Sequence, residues 1–204
     1  MNGNEIDINL RFGDLPEIIS KNNGIPITSL DWDYIKERTR ILFDEITSNK
    51  QASFPESLFT DIALGLVLEL GVAKIIGGTY NDKEFDYTDP ETFAWDILGP
   101  RGQKIEVKRK NKNFKCLNLN FKNEEYQGKY SFYDTFFKYC DRLDYLVVAD
   151  IVDERVQIEY IIFAKHFRNY IQSSNKIAGG SSHFFKDYPA ENNGDLIRFS
   201  PKIV

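Results

Sequence analysis

The sequence predicts a mixed α/β fold: a central mixed β-sheet flanked by helices. Three observations carry that expectation. Ser57 to Ile76 has apolar residues at helical spacing and is the most apolar stretch of the chain. Trp95 to Lys108 holds two apolar runs joined by a tight-turn sequence, Gly99-Pro100-Arg101-Gly102. Tyr145 to Ala149 and Val156 to Phe163 read as buried strands on either side of a polar turn, Asp150 to Arg155.

Taken in order, residues 1 to 30 read as irregular, with a short strand at Ile6–Phe12. Asp31 to Ser48 is an amphipathic helix whose apolar residues are Tyr34, Ile35, Ile41, Leu42, Phe43 and Ile46. Asn49 to Pro55 is a linker, which divides the chain into an N-terminal helical extension, 1–50, and a main domain, 51–204. In the apolar helix Leu58, Ile62, Leu66, Leu70 and Ala73 share a stripe, Ser57 is placed to cap the start, and Gly77-Gly78 ends it. Asp61, Glu69 and Lys74 interrupt it, so it suits a helix buried on a sheet and not a membrane span. Glu69 is the notable residue there. A buried, isolated carboxylate costs several kcal/mol, so it must be paired or bound to a metal. An ion pair with Lys74 or an Arg at the helix rim is the alternative.

The hairpin fixes its own register. Pro suits the first central position of a type I turn, and Gly can follow it in the left-handed conformation. A three-residue loop Pro100–Gly102 then pairs Gly99 with Gln103, Leu98 with Lys104, Ile97 with Ile105, Asp96 with Glu106 and Trp95 with Val107. Directly opposed residues share a face, so Trp95, Ile97, Ile105 and Val107 form an apolar face and Asp96, Glu106 and Lys108 a charged one. Opposed carboxylates repel by about 0.2–1 kcal/mol. Either a cation lies between them or Lys108 neutralises them; a solvated face with an incidental Glu–Lys pair is the plain alternative.

Further on, Phe114 to Phe121 reads as a strand with a local bulge, Ser131 to Tyr139 as a short aromatic helix, Lys165 to Ser173 as a helix, Gly179 to Ser182 as the start of a flexible segment, and Leu196 to Phe199 as a last strand.

The order of a helix Glu (Glu69), then Asp96, then Glu106-Val107-Lys108 resembles the PD-(D/E)XK nuclease superfamily, the restriction-endonuclease-like fold, over residues 57 to 163. One departure is that Trp95 stands where the family name has Pro. The resemblance implies a restriction-endonuclease-like core, and Glu69, Asp96, Glu106 and Lys108 as catalytic residues. It also implies Mg²⁺ (or Mn²⁺) held by Glu69, Asp96, Glu106 and the Val107 carbonyl, and Lys108 activating the attacking water. Such an ion suits carboxylate oxygens and neutralises a phosphodiester under attack.

The remaining composition bounds the function. With 204 residues and 42% hydrophobic content the chain can bury a sizeable core. The net charge of −5 argues against broad nucleic-acid affinity. Yet Lys104, Lys108, Arg109, Lys110, Lys112 and Lys115 cluster against Glu106 alone. Of these, Lys104, Arg109, Lys110, Lys112 and Lys115 are candidates to seat a phosphate backbone; a solvated Lys/Asn loop is the other reading. Cys116, Cys140, His166 and His183 lack zinc-ligand spacing, and the start Met1-Asn2-Gly3-Asn4-Glu5 has no signal-peptide pattern, so reduced thiols in an intracellular (cytoplasmic) protein are expected. Gly77-Gly78-Thr79 lacks the Lys of a nucleotide-binding loop. The expected function is a Mg²⁺-dependent endonuclease acting site-specifically on double-stranded DNA, as a homodimer if its site is palindromic. A structure-selective or RNA-cutting nuclease, or a noncatalytic binding module of the same fold, remains the alternative.

Overall fold

Local chemistry places most of the element boundaries in the structure, a computed structural model that describes residues 12–48, 57–83, 89–92, 94–111, 116–117, 121–124, 129–132, 140–166, 171–173, 183–185 and 194–200. In chain order the elements are α1 (Leu15–Asn22), β1 (Ile25–Pro26), α2 (Trp32–Ser48), α3 (Ser57–Ile76), β2 (Thr79–Tyr80), β3 (Ile97–Leu98), β4 (Lys104–Asn111), β5 (Cys116–Leu117), β6 (Phe121–Glu124) and β7 (Lys129–Phe132). They continue with β8 (Tyr145–Val152), β9 (Arg155–Phe163), β10 (Ile171–Ser173), β11 (His183–Phe185) and β12 (Leu196–Arg198). Asp31 caps α2: its Oδ1 accepts the Tyr34 N–H at 3.0 Å. The Gly78 N–H closes the end of α3 on the Ala73 carbonyl at 2.9 Å.

The fold is mixed α/β, as expected. The main sheet runs β1-β9-β8-β4-β5-β11-β10, with β12 also on β9, β3 on β4 and β2 on β3. β4 and β8 are parallel and the other pairs are antiparallel. β6 and β7 form a separate hairpin.

β4 is the strand that matters. One edge is paired to β8 from Ile105 to Arg109. The other is paired to β3 only at Lys104 and Ile105, and to β5 only at Lys110 and Asn111. Among the described residues, the middle of β4 therefore has a strand on one side and an interval on the other.

Helix α3 lies against this sheet. A Cβ on Gly71 would sit 2.6 Å from Val156 Cγ2, so only glycine allows helix and strand to approach this closely. Val67, Leu68, Val72 and Ile76 of α3 share one core with Ile97, Ile105, Val147, Ile158 and Ile161 of the sheet. Phe12, Leu15, Ile19 and Ile35 belong to the same core, so the first 50 residues help build it.

Several local expectations change. Residues 15 to 22, read as irregular, form α1; Leu15 and Ile19, four apart, are its buried pair, and Pro16 sits in its first turn. Of the helix expected over Lys165–Ser173, Lys165 and His166 lie in a 3₁₀ turn, 167–170 lie outside the described residues, and Ile171–Ser173 are a strand paired to β11. Cross-strand pairing overrides local propensity there. Of the strand expected over Phe114–Phe121, Cys116–Leu117 form β5 and Phe121 begins β6, while 114–115 and 118–120 lie outside the described residues; Ser131, expected in a helix, lies in β7. Residues 6–11, 49–55 and 133–139 lie outside the described residues.

Candidate active site

The hairpin forms in the expected register up to a point. Ile97 pairs with Ile105 and Leu98 with Lys104. Gly99 N–H donates to the Gln103 carbonyl at 2.7 Å, and Gly102 takes φ +80°, as the turn chemistry requires. The ladder then breaks. Asp96 N–H donates at 3.0 Å to the carbonyl of Ile105, the residue that already pairs with Ile97. Two residues thus oppose one, the count that defines a bulge. Beyond it the Asp96 side chain takes over from the backbone: Oδ2 accepts the Val107 N–H at 2.7 Å. Asp96 is thereby anchored at the interval on β4, beside the peptide groups of Val107. The expected Trp95–Val107 pair does not form, because the ladder ends first. Trp95 is buried and has the Lys104 ammonium 4.1 Å from its ring centroid. It therefore neighbours the residue that shares strand parity with Glu106.

Asn81 braces this bend. Its N–H donates to the Asp96 carbonyl at 2.8 Å and its Nδ2 to the Trp95 carbonyl at 3.1 Å.

Glu106 and Lys108, two apart on β4, point to one side. The Lys108 ammonium donates to Glu106 Oε1 at 2.5 Å, a charge-assisted contact. Glu106 is 3% exposed, so its carboxylate is held in the interior by this cation. Glu69, from α3, joins them through charge. Burial pushes its carboxyl up to about 7, the Glu106 carboxylate pushes the same way, and Lys108 and Arg38 oppose them. Tyr80 ties in Asp96: burial raises its hydroxyl first, then the charges of Glu69 and Asp96. Glu69, Asp96, Glu106 and Lys108 are thus brought into one electrostatic neighbourhood. They do not close on one point, since among the described residues no group of three His, Cys, Asp or Glu side chains is poised to hold a metal ion.

Four neighbours were not singled out as site residues in the sequence. Tyr80 and Asn81 arrive through β2, which pairs with β3. Tyr34 and Arg38 arrive one turn apart on α2; the Tyr34 ring meets Tyr80 edge-on at 6.4 Å, and Arg38 Nε lies 3.4 Å from Asp82 Oδ1. The i, i+4 spacing of Tyr34 and Arg38 was the available signal, and it reads equally as an ordinary helix face.

The basic candidates divide. Lys104 is committed to Glu91 at 2.9 Å and to the Trp95 ring. Arg109 is exposed and lies 3.8 Å from the buried Asp150. Lys110 sits on β4, with its side chain outside the described residues, as are Lys112 and Lys115 altogether. His166 contacts Asp195 at 2.9 Å. Among the described residues no helix is long and apolar enough to cross a membrane.

What the arrangement offers is a set of oxygen donors with one ammonium among them, on a strand edge whose peptide groups are accessible to a side chain. Such donors suit a hard divalent cation, which is commonly held by one or two carboxylates plus waters. Comparison with known proteins gives a match of residues 16–161 to the family model of bacteriophage T4 endonuclease IV. No curated protein matches the chain.

Proposed function

The chain belongs to the bacteriophage T4 endonuclease IV family, and from that premise we propose that this nuclease is a Mg²⁺-dependent DNA endonuclease with a PD-(D/E)XK-type site. The observation that carries the reading is the Glu106–Lys108 contact at 2.5 Å beside an Asp96 anchored on the Val107 N–H at 2.7 Å. This is an acid at the start of one strand and an acid and a lysine on the next, with Glu69 of α3 raised by burial first and then by the charge of Glu106.

Asp96 and Glu106 are the residues that would hold the ion, with Glu69 and the Val107 carbonyl completing the set. When bound, the ion supplies positive charge to the phosphate and acidity to its water. The protein's own part is positional. Asp96 cannot swing freely, because Val107 holds one of its oxygens. Lys108 is a compact ammonium with three donors, one directed at Glu106, and serves to hydrogen-bond the incoming water and a phosphate oxygen. Asn81 keeps the Asp96 backbone in place from the other side. The exposed Arg109, further along β4, suits contact with the flanking phosphate backbone. Double-strand cutting at a symmetric sequence would engage two copies of the chain.

The test is cleavage of plasmid, single-stranded DNA and RNA by purified protein with Mg²⁺, Mn²⁺ or EDTA. Wild type is expected to cut DNA with either ion and not with EDTA. Glu106→Gln and Lys108→Ala are expected to lose about 10²–10⁴-fold in rate. Cutting in EDTA, or wild-type rates in both variants, would refute this reading.

A further inference from the structure

We propose that Arg38 is a phosphate-binding residue of this site, delivered by α2 and held in waiting by Asp82. The inference rests on the nuclease reading above for the identity of its ligand, and on independent geometry for the residue.

That geometry begins with confinement. The Arg38 side chain is only 14% exposed, so its guanidinium is set within the structure and not spread over the surface. Its neighbours tie it to the bend that carries Asp96. Asp82, 3.4 Å from Nε, directly follows Asn81, whose N–H holds the Asp96 carbonyl. Tyr34, one turn earlier on α2, meets Tyr80 edge-on, and Tyr80 pairs with Ile97, the residue after Asp96. The guanidinium is also close enough for its charge to act on Glu69, Tyr34 and Tyr80.

The contacts Arg38 makes are weak for such a group. Nε stands 3.4 Å from Asp82 Oδ1, and Nη2 is 3.4 Å from the Lys83 carbonyl. Charge-assisted hydrogen bonds of full strength are shorter, at about 2.7–2.9 Å. A planar fork of five donors that, among the described residues, uses two of them at long range is fit for a stronger acceptor. A phosphodiester presents two non-bridging oxygens in the geometry that a guanidinium matches. Asp82, half exposed, can release the fork to solvent without burying a charge. Purely structural work at this position would need only a cation near Asp82, for which Lys would serve.

The test reads binding without cutting. Affinity for a short fluorescein-labelled oligodeoxynucleotide is measured by anisotropy in EDTA across a salt series, for wild type, Arg38→Gln, Arg38→Lys and Asp82→Asn, with thermal melting of each. Arg38→Gln is expected to bind about tenfold more weakly. It should also lower the slope of log affinity against log salt by about 0.7–0.9, the signature of one lost phosphate contact. Arg38→Lys is expected to restore that slope yet cut DNA at least tenfold more slowly in Mg²⁺, since an ammonium cannot span two oxygens. Asp82→Asn is expected to keep the wild-type slope. A wild-type slope in Arg38→Gln, or the same loss in Asp82→Asn, overturns the proposal. If Arg38→Gln does not fold, Arg38→Lys decides alone, and wild-type cutting by it overturns the proposal. Because the slope is read without metal, failure of the metal-site reading would show in the cleavage tests with EDTA, Glu106→Gln and Lys108→Ala and would leave the slope measurement standing.

Discussion

Two hairpins of the same sheet are built to opposite ends. In β8–β9 the ladder is paired from Tyr145–Phe163 to Val152–Arg155, with one irregularity at Val148/Ala149. Its turn places Asp153 and Glu154 at φ 48° and 57°, the pair of left-handed residues that matches strand twist. The first six residues of β8 are all buried. In β3–β4 only two pairs form before Asp96 breaks the ladder and puts a carboxylate where a backbone carbonyl would stand. The first hairpin devotes its polar groups to cohesion. The second gives up pairing, and that leaves room for charged side chains to meet. Local irregularity of this kind is expected where chemistry and not stability is selected.

The contrast can be broken from either side. The largest effect is expected from Asp96→Ala. DNA cleavage should fall by about a thousandfold. Stability should drop by only about 1–3 kcal/mol, because the Val107 N–H loses its acceptor. Plasmid cleavage with parallel urea melts would check this, and a protein that unfolds without losing intrinsic rate would refute it. Ile161→Ala, in the well-paired hairpin, should do the reverse. It should cost about 2–5 kcal/mol of stability, as a truncated core residue does, while the folded fraction keeps its cleavage rate. A rate loss beyond the unfolded fraction would show that the two hairpins are not separable.

The smallest effect is a slope with pH. The Glu69 carboxyl is raised to about 7 in the fold. Between its ordinary value of 4.5 and that point, the folded chain keeps a proton that the unfolded chain has released. Metal-free stability should therefore decline as pH rises through this window, by at most about 1.4 kcal/mol per pH unit, and level off above it. Glu69→Gln should flatten the decline. Denaturation midpoints from pH 4.5 to 8 in EDTA would measure it, and an unchanged slope in Glu69→Gln would assign the effect elsewhere.

Parts of this were legible in the residues and parts were not, for identifiable reasons. The helix Ser57–Ile76 has the bounds read from its apolar spacing and its Gly77 stop, because both signals are local. The hairpin register was legible because Pro100 and Gly102 dictate the loop. Its continuation to Asp96 was not, because strand alternation carries no sign of a bulge and a side chain takes over the hydrogen bond. Glu106 and Lys108 could be paired from strand periodicity alone. Arg38, Tyr80 and Asn81 could not, since nothing short of the packing of α2 and the pairing of β2 with β3 brings them near Asp96. The swap of helix for strand at Ile171–Ser173 has the same origin: a distant partner, β11, decides it.

The bond from Val107 to Asp96 has one more consequence. A carboxylate on a single Cβ would ordinarily sample several rotamers in water. With Oδ2 fixed 2.7 Å from a peptide nitrogen of the neighbouring strand, the plane of the group is set before any ligand arrives. The entropy of choosing that orientation is spent during folding, so an ion of the kind proposed above would meet an acid already aimed. Preorganisation here costs the sheet a single rung and is written into the backbone, where a surface substitution elsewhere would leave it untouched.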